Sequence, residues 1–280
     1  MILSDNHVHT SFSADSSTSM EAMVQRAIEL HLPSICFTDH LDYGFPEQYQ
    51  TEFLFSLEDY FDTIQNLKEK YPSLQIRTGV ELGLKEDIFE TISAIPERNQ
   101  FDFVIGSTHI VDNLDPYYEE YWENLGEENG ISHYFEKTYD NIKLNFDIDS
   151  YGHLDYIIRY CPTVKKAKKQ GTENESFYQE TLKKNKEILD EILLSLIQLG
   201  KGLEVNTAGL RYGLGHPNPH EAILQRYREL GGTTITIGSD AHETKYLAYS
   251  FGQIPELLLK CGFNYCTEFS KRRPVQIPFI

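Results

Sequence analysis

Cysteine is scarce. The four residues Cys36, Cys161, Cys261 and Cys266 match neither a disulfide framework nor a cysteine zinc site. Reduced thiols in the cytoplasm are the expectation. Long apolar runs are missing as well: none approaches the ~20 residues that a membrane span needs. The first residues carry no basic segment leading into an apolar one, so no secretory signal is expected. Positive charge is in short supply. Forty-three acidic residues against 25 basic ones leave a formal charge of −18, which repels polyanions and argues against nucleic acid as a partner. The one basic run, Lys165-Lys166-Ala167-Lys168-Lys169, reads as a solvated loop or helix start. No linker, low-complexity segment or composition break divides the chain, so residues 1–280 read as one domain, and 40% hydrophobic residues suffice for a substantial core. A glycine-rich phosphate loop, which a doubly wound nucleotide-binding sheet would carry after its first strand, is also lacking. That place holds His7-Val8-His9.

What is present is a recurring unit: a short β-rich run ending in a polar cluster, then an amphipathic helical stretch. The runs end at SDNHVH, SICFTDH, RTGVELG, FVIGSTH, DSYGHLD, GLEVN and TITIGSDAH. Met20, Met23, Val24, Ala27 and Ile28 follow the spacing of one buried helix face, and Thr18 to Glu21 has the form of a capping box. Leu189, Ile192, Leu193 and Leu196 mark another helix, with further ones near 57–67, 135–146 and 254–259. Strands alternating with helices predict parallel β/α units. About seven of them suit a closed or nearly closed barrel.

The strand ends carry the chemistry. Residues i and i+2 of a strand point the same way, so His7 and His9 converge, as do Asp240 and His242. Other strand ends supply His40, Glu81, His109 and His153. A β/α barrel gathers those ends on one face. A mixture of imidazole and carboxylate suits divalent transition metals, Zn, Mn, Fe or Co, and a multinuclear site is expected. His31, His133, His216 and His220 fall elsewhere and read as structural or surface residues.

The ordered set His7-x-His9, Thr38-Asp39-His40, Glu81, Ser107-Thr108-His109, Gly152-His153-Leu154-Asp155 and Ser239-Asp240-Ala241-His242 resembles the PHP (polymerase and histidinol phosphatase) superfamily over almost the whole chain. The segment from Leu203 to Arg211 resembles its histidinol-phosphate phosphatase subgroup. The resemblance implies a distorted (β/α)7 barrel with up to three metals at the C-terminal ends of the strands. It implies a first metal on His7, His9, Glu81 and Asp240, and a second on Glu81, His109 and His153. A third takes His40, His242 and Asp15, where many relatives use histidine. The implied activity is hydrolysis of L-histidinol phosphate to L-histidinol and inorganic phosphate, a step of histidine biosynthesis. Nucleotides or other small monoesters are the alternative substrates.

The expected chemistry is in-line attack on phosphorus by a hydroxide bridging two metals. Asp240 and His242 are expected at the reacting centre, with Arg159 and Arg211 on the phosphate. Asp39 and Asp155 are candidates to orient ligand histidines. Asp42, Tyr43, Tyr117, Tyr118, Trp122 and Tyr160 are candidates for the substrate's amine and imidazole.

Overall fold

The computed structural model describes residues 4–49, 52–98, 100–172 and 174–279. Seven parallel strands form a nearly closed barrel: β1 (Asp5–Val8), β2 (Ser34–Phe37), β4 (Gln75–Gly83), β5 (Phe103–Ser107), β6 (Ser150–Tyr151), β7 (Gly202–Asn206) and β8 (Ile235–Gly238). A two-residue strand, β3 (His40–Leu41), continues beyond β2 and also pairs with β4. Each of the seven β-rich runs read from the sequence becomes one barrel strand, with helices packed around them.

Closure occurs between β1 and the chain just past β8. Val8 bridges Ala241 in parallel register. The Asp240 amide donates to the His7 carbonyl at 2.8 Å and the His9 amide to the Ala241 carbonyl at 2.9 Å. Gly238 makes this approach possible, because a Cβ there would overlap the His7 side chain. The seam therefore brings together two histidine motifs more than 200 residues apart in sequence.

The helices bury their apolar faces against the outside of the barrel. The first, Met20–Glu29, buries Met20, Met23, Val24 and Ala27 as its periodicity predicts. Its cap differs from the expected box. Ser19 caps the helix by accepting from the Ala22 amide, while the Thr18 hydroxyl donates to the His242 carbonyl at 2.9 Å. Ser16 Oγ donates to the same carbonyl at 2.8 Å, so the hydroxyl expected to cap instead anchors the last histidine motif. The helix expected over 135–146 spans Glu127–Lys143. The barrel floor is closed by Arg77, whose guanidinium donates to Asn6 Oδ1, Ser34 Oγ and the Phe269 carbonyl at 2.6, 2.8 and 3.0 Å. Phe269 belongs to the antiparallel pair β9 (Tyr265–Ser270) and β10 (Arg273–Pro278). No helix among the described residues is long and apolar enough to cross a membrane.

Candidate metal centre

Glu81 lies on β4, opposite His40 of β3 in direct register, and is fully buried. Its Oε2 lies 3.0 Å from His7 Nε2, 3.4 Å from His9 Nε2 and 3.0 Å from His40 Nδ1. Its Oε1 lies 3.0 Å from His153 Nε2 and 3.4 Å from His109 Nε2. Asp240 Oδ1 is 3.2 Å from His9 Nε2, 3.9 Å from His7 Nε2 and 3.6 Å from His242 Nδ1. At the mouth, Asp15 Oδ2 lies 3.1 Å from His242 Nε2 and 3.8 Å from His40 Nε2. All nine residues expected from the sequence thus meet in one cluster. His40 touches both the Glu81 side and the Asp15 side of it.

The donor set fits divalent cations. The buried atoms His9 Nε2, His40 Nδ1 and His242 Nε2 make no hydrogen bond, although a carboxylate oxygen lies within 3.0 to 3.2 Å of each. Ligand bonds of about 2.1 Å place adjacent donors ~3.0 Å apart around an octahedral ion and ~3.4 Å apart around a tetrahedral one. Donors at these separations can share a cation. Four overlapping triads have ligand atoms within 4.8 Å of each other: His7–His9–Asp240, His7–Glu81–His153, His40–Glu81–His109 and His9–His40–His242.

Electrostatics match this reading. Burial pushes the Glu81 carboxyl up, but His7, His40 and His109 outweigh it and hold the group well below the usual range. Burial is likewise overcome at Asp240 by His9, His7 and His242, and at Asp15 by His40 and His242. All three carboxylates stay anionic. His9 is held well below its ordinary value by burial and by the positive character of His242 and His40, so it offers a neutral lone pair.

The neighbours that aim these ligands are only partly those expected. His9 Nδ1 faces Ser13 Oγ at 3.1 Å, and Ser13 Oγ donates to Asp39 Oδ1 at 2.7 Å. Asp39 also accepts from the Thr10 amide at 2.5 Å, fixing the loop after β1. Asp155 does not reach the His153 ring. It accepts from Asn218 Nδ2 at 2.6 Å and the His220 amide at 2.9 Å, anchoring a distant loop. Asp42, expected near the substrate's amine, is buried with Oδ2 2.6 Å from His109 Nδ1. Sequence reasoning assigned no role to Glu204. Its Oε1 lies 2.5 Å from His7 Nδ1, while Oε2 accepts from the His153 amide at 2.9 Å. One carboxylate thus fixes two candidate ligand histidines, His7 on β1 and His153 just past β6. Glu204→Gln keeps the shape and removes the charge. It is expected to weaken metal affinity 10- to 100-fold, measured by chelator competition; unchanged affinity would reduce Glu204 to a packing residue.

A cavity of about 710 Å³ opens over the cluster. Arg159 and Arg211 line it, as do Tyr117, Tyr118 and Tyr160. Arg159 Nη2 donates to Tyr160 Oη at 2.7 Å and Arg211 Nη2 to the Asp240 carbonyl at 3.2 Å. Arg159 Nε and Nη1 and Arg211 Nε are buried without a partner. Trp122 does not line the cavity. It is buried in the helix Glu119–Leu125 and donates to the Pro116 carbonyl at 2.8 Å. Tyr43 is also not among the lining residues. The wall gains Asp115, whose carboxyl burial pushes up to about 6. The basic run forms the helix Pro162–Gln170. Lys166 and Lys169 are exposed as expected, but Lys168 lines the cavity. His31 and His133 lie on the surface or half-buried, and His216 and His220 are buried away from the cluster.

The PHP domain model matches residues 5–208. The chain belongs to the PHP domain family. It is 33% identical over 269 residues to the histidinol-phosphatase of Lactococcus lactis, covering 95% of this chain and 94% of that one. It is 20% identical over 293 residues to the histidinol-phosphatase of Saccharomyces cerevisiae, covering 91% and 87%. The crystal structure of the Lactococcus histidinol phosphate phosphatase, complexed with zinc, L-histidinol and phosphate, matches at TM-score 0.83 and 30% identity, over 98% of this chain and 99% of that one. PHP membership agrees with the barrel and with the order of the histidine motifs along it.

Proposed function

We propose that this PHP protein is a metal-dependent histidinol-phosphatase, hydrolysing L-histidinol phosphate to L-histidinol and inorganic phosphate. One observation carries the reading: nine imidazole and carboxylate side chains converge beside two guanidinium groups that each keep a buried N–H without a partner. The relatives support it, since those named are histidinol-phosphatases and the Lactococcus structure holds zinc, L-histidinol and phosphate. The whole chain is read as one catalytic domain. The site takes two to three divalent ions of Zn, Mn, Fe or Co: one on His7, His9, Glu81 and Asp240, one on Glu81, His109 and His153, one on His40, His242 and Asp15. When bound, such ions lower the pKa of a coordinated water from about 15.7 towards ~7 and offset charge on phosphoryl oxygens.

The chain's own residues do the rest. Arg159 and Arg211 present fixed N–H donors to the phosphoryl oxygens, orienting the ester for in-line displacement. Asp240 and His242, brought in at the barrel seam, line the same cavity, and the Asp240 carbonyl accepts from Arg211. Asp42 and Glu204 hold His109 and His7 in one ring orientation each. Among the cavity's carboxylates, the half-buried Asp115 makes no salt bridge to an imidazole or cation among the described residues, and it gains from a cationic partner. We assign it, with the tyrosine ring faces, to the ammonium and imidazole of the substrate. The free thiols, all four buried, and the acidic surface suit a cytoplasmic enzyme acting on a small molecule rather than on nucleic acid.

The test is selectivity. Metals and arginines act on any monoester, so preference must come from the far end of the substrate. kcat/KM for L-histidinol phosphate should exceed that for p-nitrophenyl phosphate by at least ~100-fold, about 2.7 kcal/mol of discrimination. Equal values, or a preference for a nucleotide, would leave a PHP phosphoesterase of other specificity.

A further inference from the structure

The basic run on the helix Pro162–Gln170 is not accounted for by the centre. Lys166 and Lys169 point to solvent. Lys168 does not share their surroundings. It lines the cavity over the centre and also a neighbouring cavity of about 400 Å³. The two cavities share Tyr117, Tyr118, Arg159, Tyr160, Lys168 and Tyr212, so these residues form the threshold between them. The Tyr212 ring is the common post: Arg159 Cζ lies 4.4 Å, Arg211 Cζ 4.9 Å and Lys168 Nζ 5.4 Å from its centroid. Lys168 has no carboxylate partner among the described residues, although the chain carries 18 more acidic than basic groups.

Three cations gathered on one ring repel one another unless an anion joins them. A carboxylate would neutralise them permanently. An aromatic face holds them through its quadrupole and leaves their charge available. The two arginines are half-buried, whereas Lys168 is exposed, so the cations grade from the mouth inward. A dianion approaching this protein meets a net repulsive field at long range. Within a Debye length of ~8 Å, the nearest charges decide. Lysine suits the outermost place, because its compact ammonium rides on a flexible stem and can follow an anion inward.

We propose that Lys168 is the entry cation of the site, capturing the phosphate dianion at the mouth and passing it along the Tyr212 face to Arg159 and Arg211. The inference rests on the phosphate-monoester reading above and adds to it a specificity residue for the doubly charged phosphate end. It is assigned to capture and not to catalysis, because it is the exposed member of the three cations.

The experiment compares Lys168→Gln, Lys168→Arg and Lys166→Gln in the metal-loaded enzyme. Lys166→Gln makes the same charge change on the same helix, away from the cavity. Two quantities are measured at low and high ionic strength: the Kd of inorganic phosphate by calorimetry, and kcat and KM for L-histidinol phosphate. Lys168→Gln should raise Kd and KM about 3- to 10-fold at ~20 mM salt and less than ~2-fold at ~500 mM, where screening is nearly complete at this range. The loss should fall in KM rather than kcat. Lys168→Arg should stay near the parent, and Lys166→Gln should shift neither constant by more than ~1.5-fold, as expected for a screened surface charge. Equal effects of Lys168→Gln and Lys166→Gln, a loss that survives high salt, or a loss in kcat would overturn the proposal. The two readings fail separately. A salt-sensitive phosphate Kd in a protein that does not turn over L-histidinol phosphate keeps Lys168 and rejects the substrate. Turnover without a Lys168-specific effect does the reverse.

Discussion

Glu81→Ala is expected to lower turnover of L-histidinol phosphate by at least ~10³-fold and to strip bound metal from the protein. The reason is geometric. Both oxygens of this fully buried carboxylate are shared among five imidazoles, at 3.0 to 3.4 Å. Its removal takes the one negative charge common to the proposed first and second sites. It also leaves His7, His9, His40, His109 and His153 without the carboxylate they share. A loss of this size is the scale seen when a preorganised charge is removed from a dry site, compounded by the loss of ligand. Metal content and circular dichroism on the same sample separate a lost site from a lost fold. A variant that folds, keeps its metal and turns over at the parent rate would refute the assignment of Glu81. Glu81→Asp should fall between the two, because the shorter stem cannot span both sets of histidines.

Arg159→Ala should cost about 100-fold in kcat/KM, ~2.7 kcal/mol, and should do so for L-histidinol phosphate and p-nitrophenyl phosphate alike. Both esters carry the group that the guanidinium is proposed to grip. The competing view of Arg159 as a surface ion pair, with little net effect, does not match its surroundings. Its guanidinium is stacked on Tyr160 and Tyr212 at 4.7 and 4.4 Å and pairs with no carboxylate among the described residues. Lysine should restore only part of the loss, since it lacks the planar fork. An effect confined to L-histidinol phosphate would move Arg159 from the phosphate to the other end of the substrate.

The barrel was legible because β-rich runs and amphipathic stretches alternate, and the two spacings differ in period. The donors were legible for a related reason: His7 and His9, or Asp240 and His242, stand two residues apart at a strand end, and a barrel has one such face. What stayed hidden depends on contacts between distant strands. Glu204 looks like any inward-facing strand residue until β7 is placed beside His7 and His153. Asp42 looks like a loop carboxylate free for substrate until His109 is found against it. Trp122 reads as a loop aromatic because Gly126 and five glutamates obscure the helices on either side. Thr18 and Ser19 are equally good caps by sequence; only the nearby His242 carbonyl decides between them. Lys168 was hidden inside a charge run whose other exposed lysines are plain surface residues.

Metal titration of the stripped protein tests the central claim most directly. Chelator-treated protein receives measured equivalents of Mn, Co or Zn, and release of phosphate from L-histidinol phosphate is followed with bound metal determined on the same samples. Activity should be absent without metal and should rise to full turnover as two to three equivalents per chain bind. Full turnover of L-histidinol phosphate by protein shown to be metal-free would contradict the account.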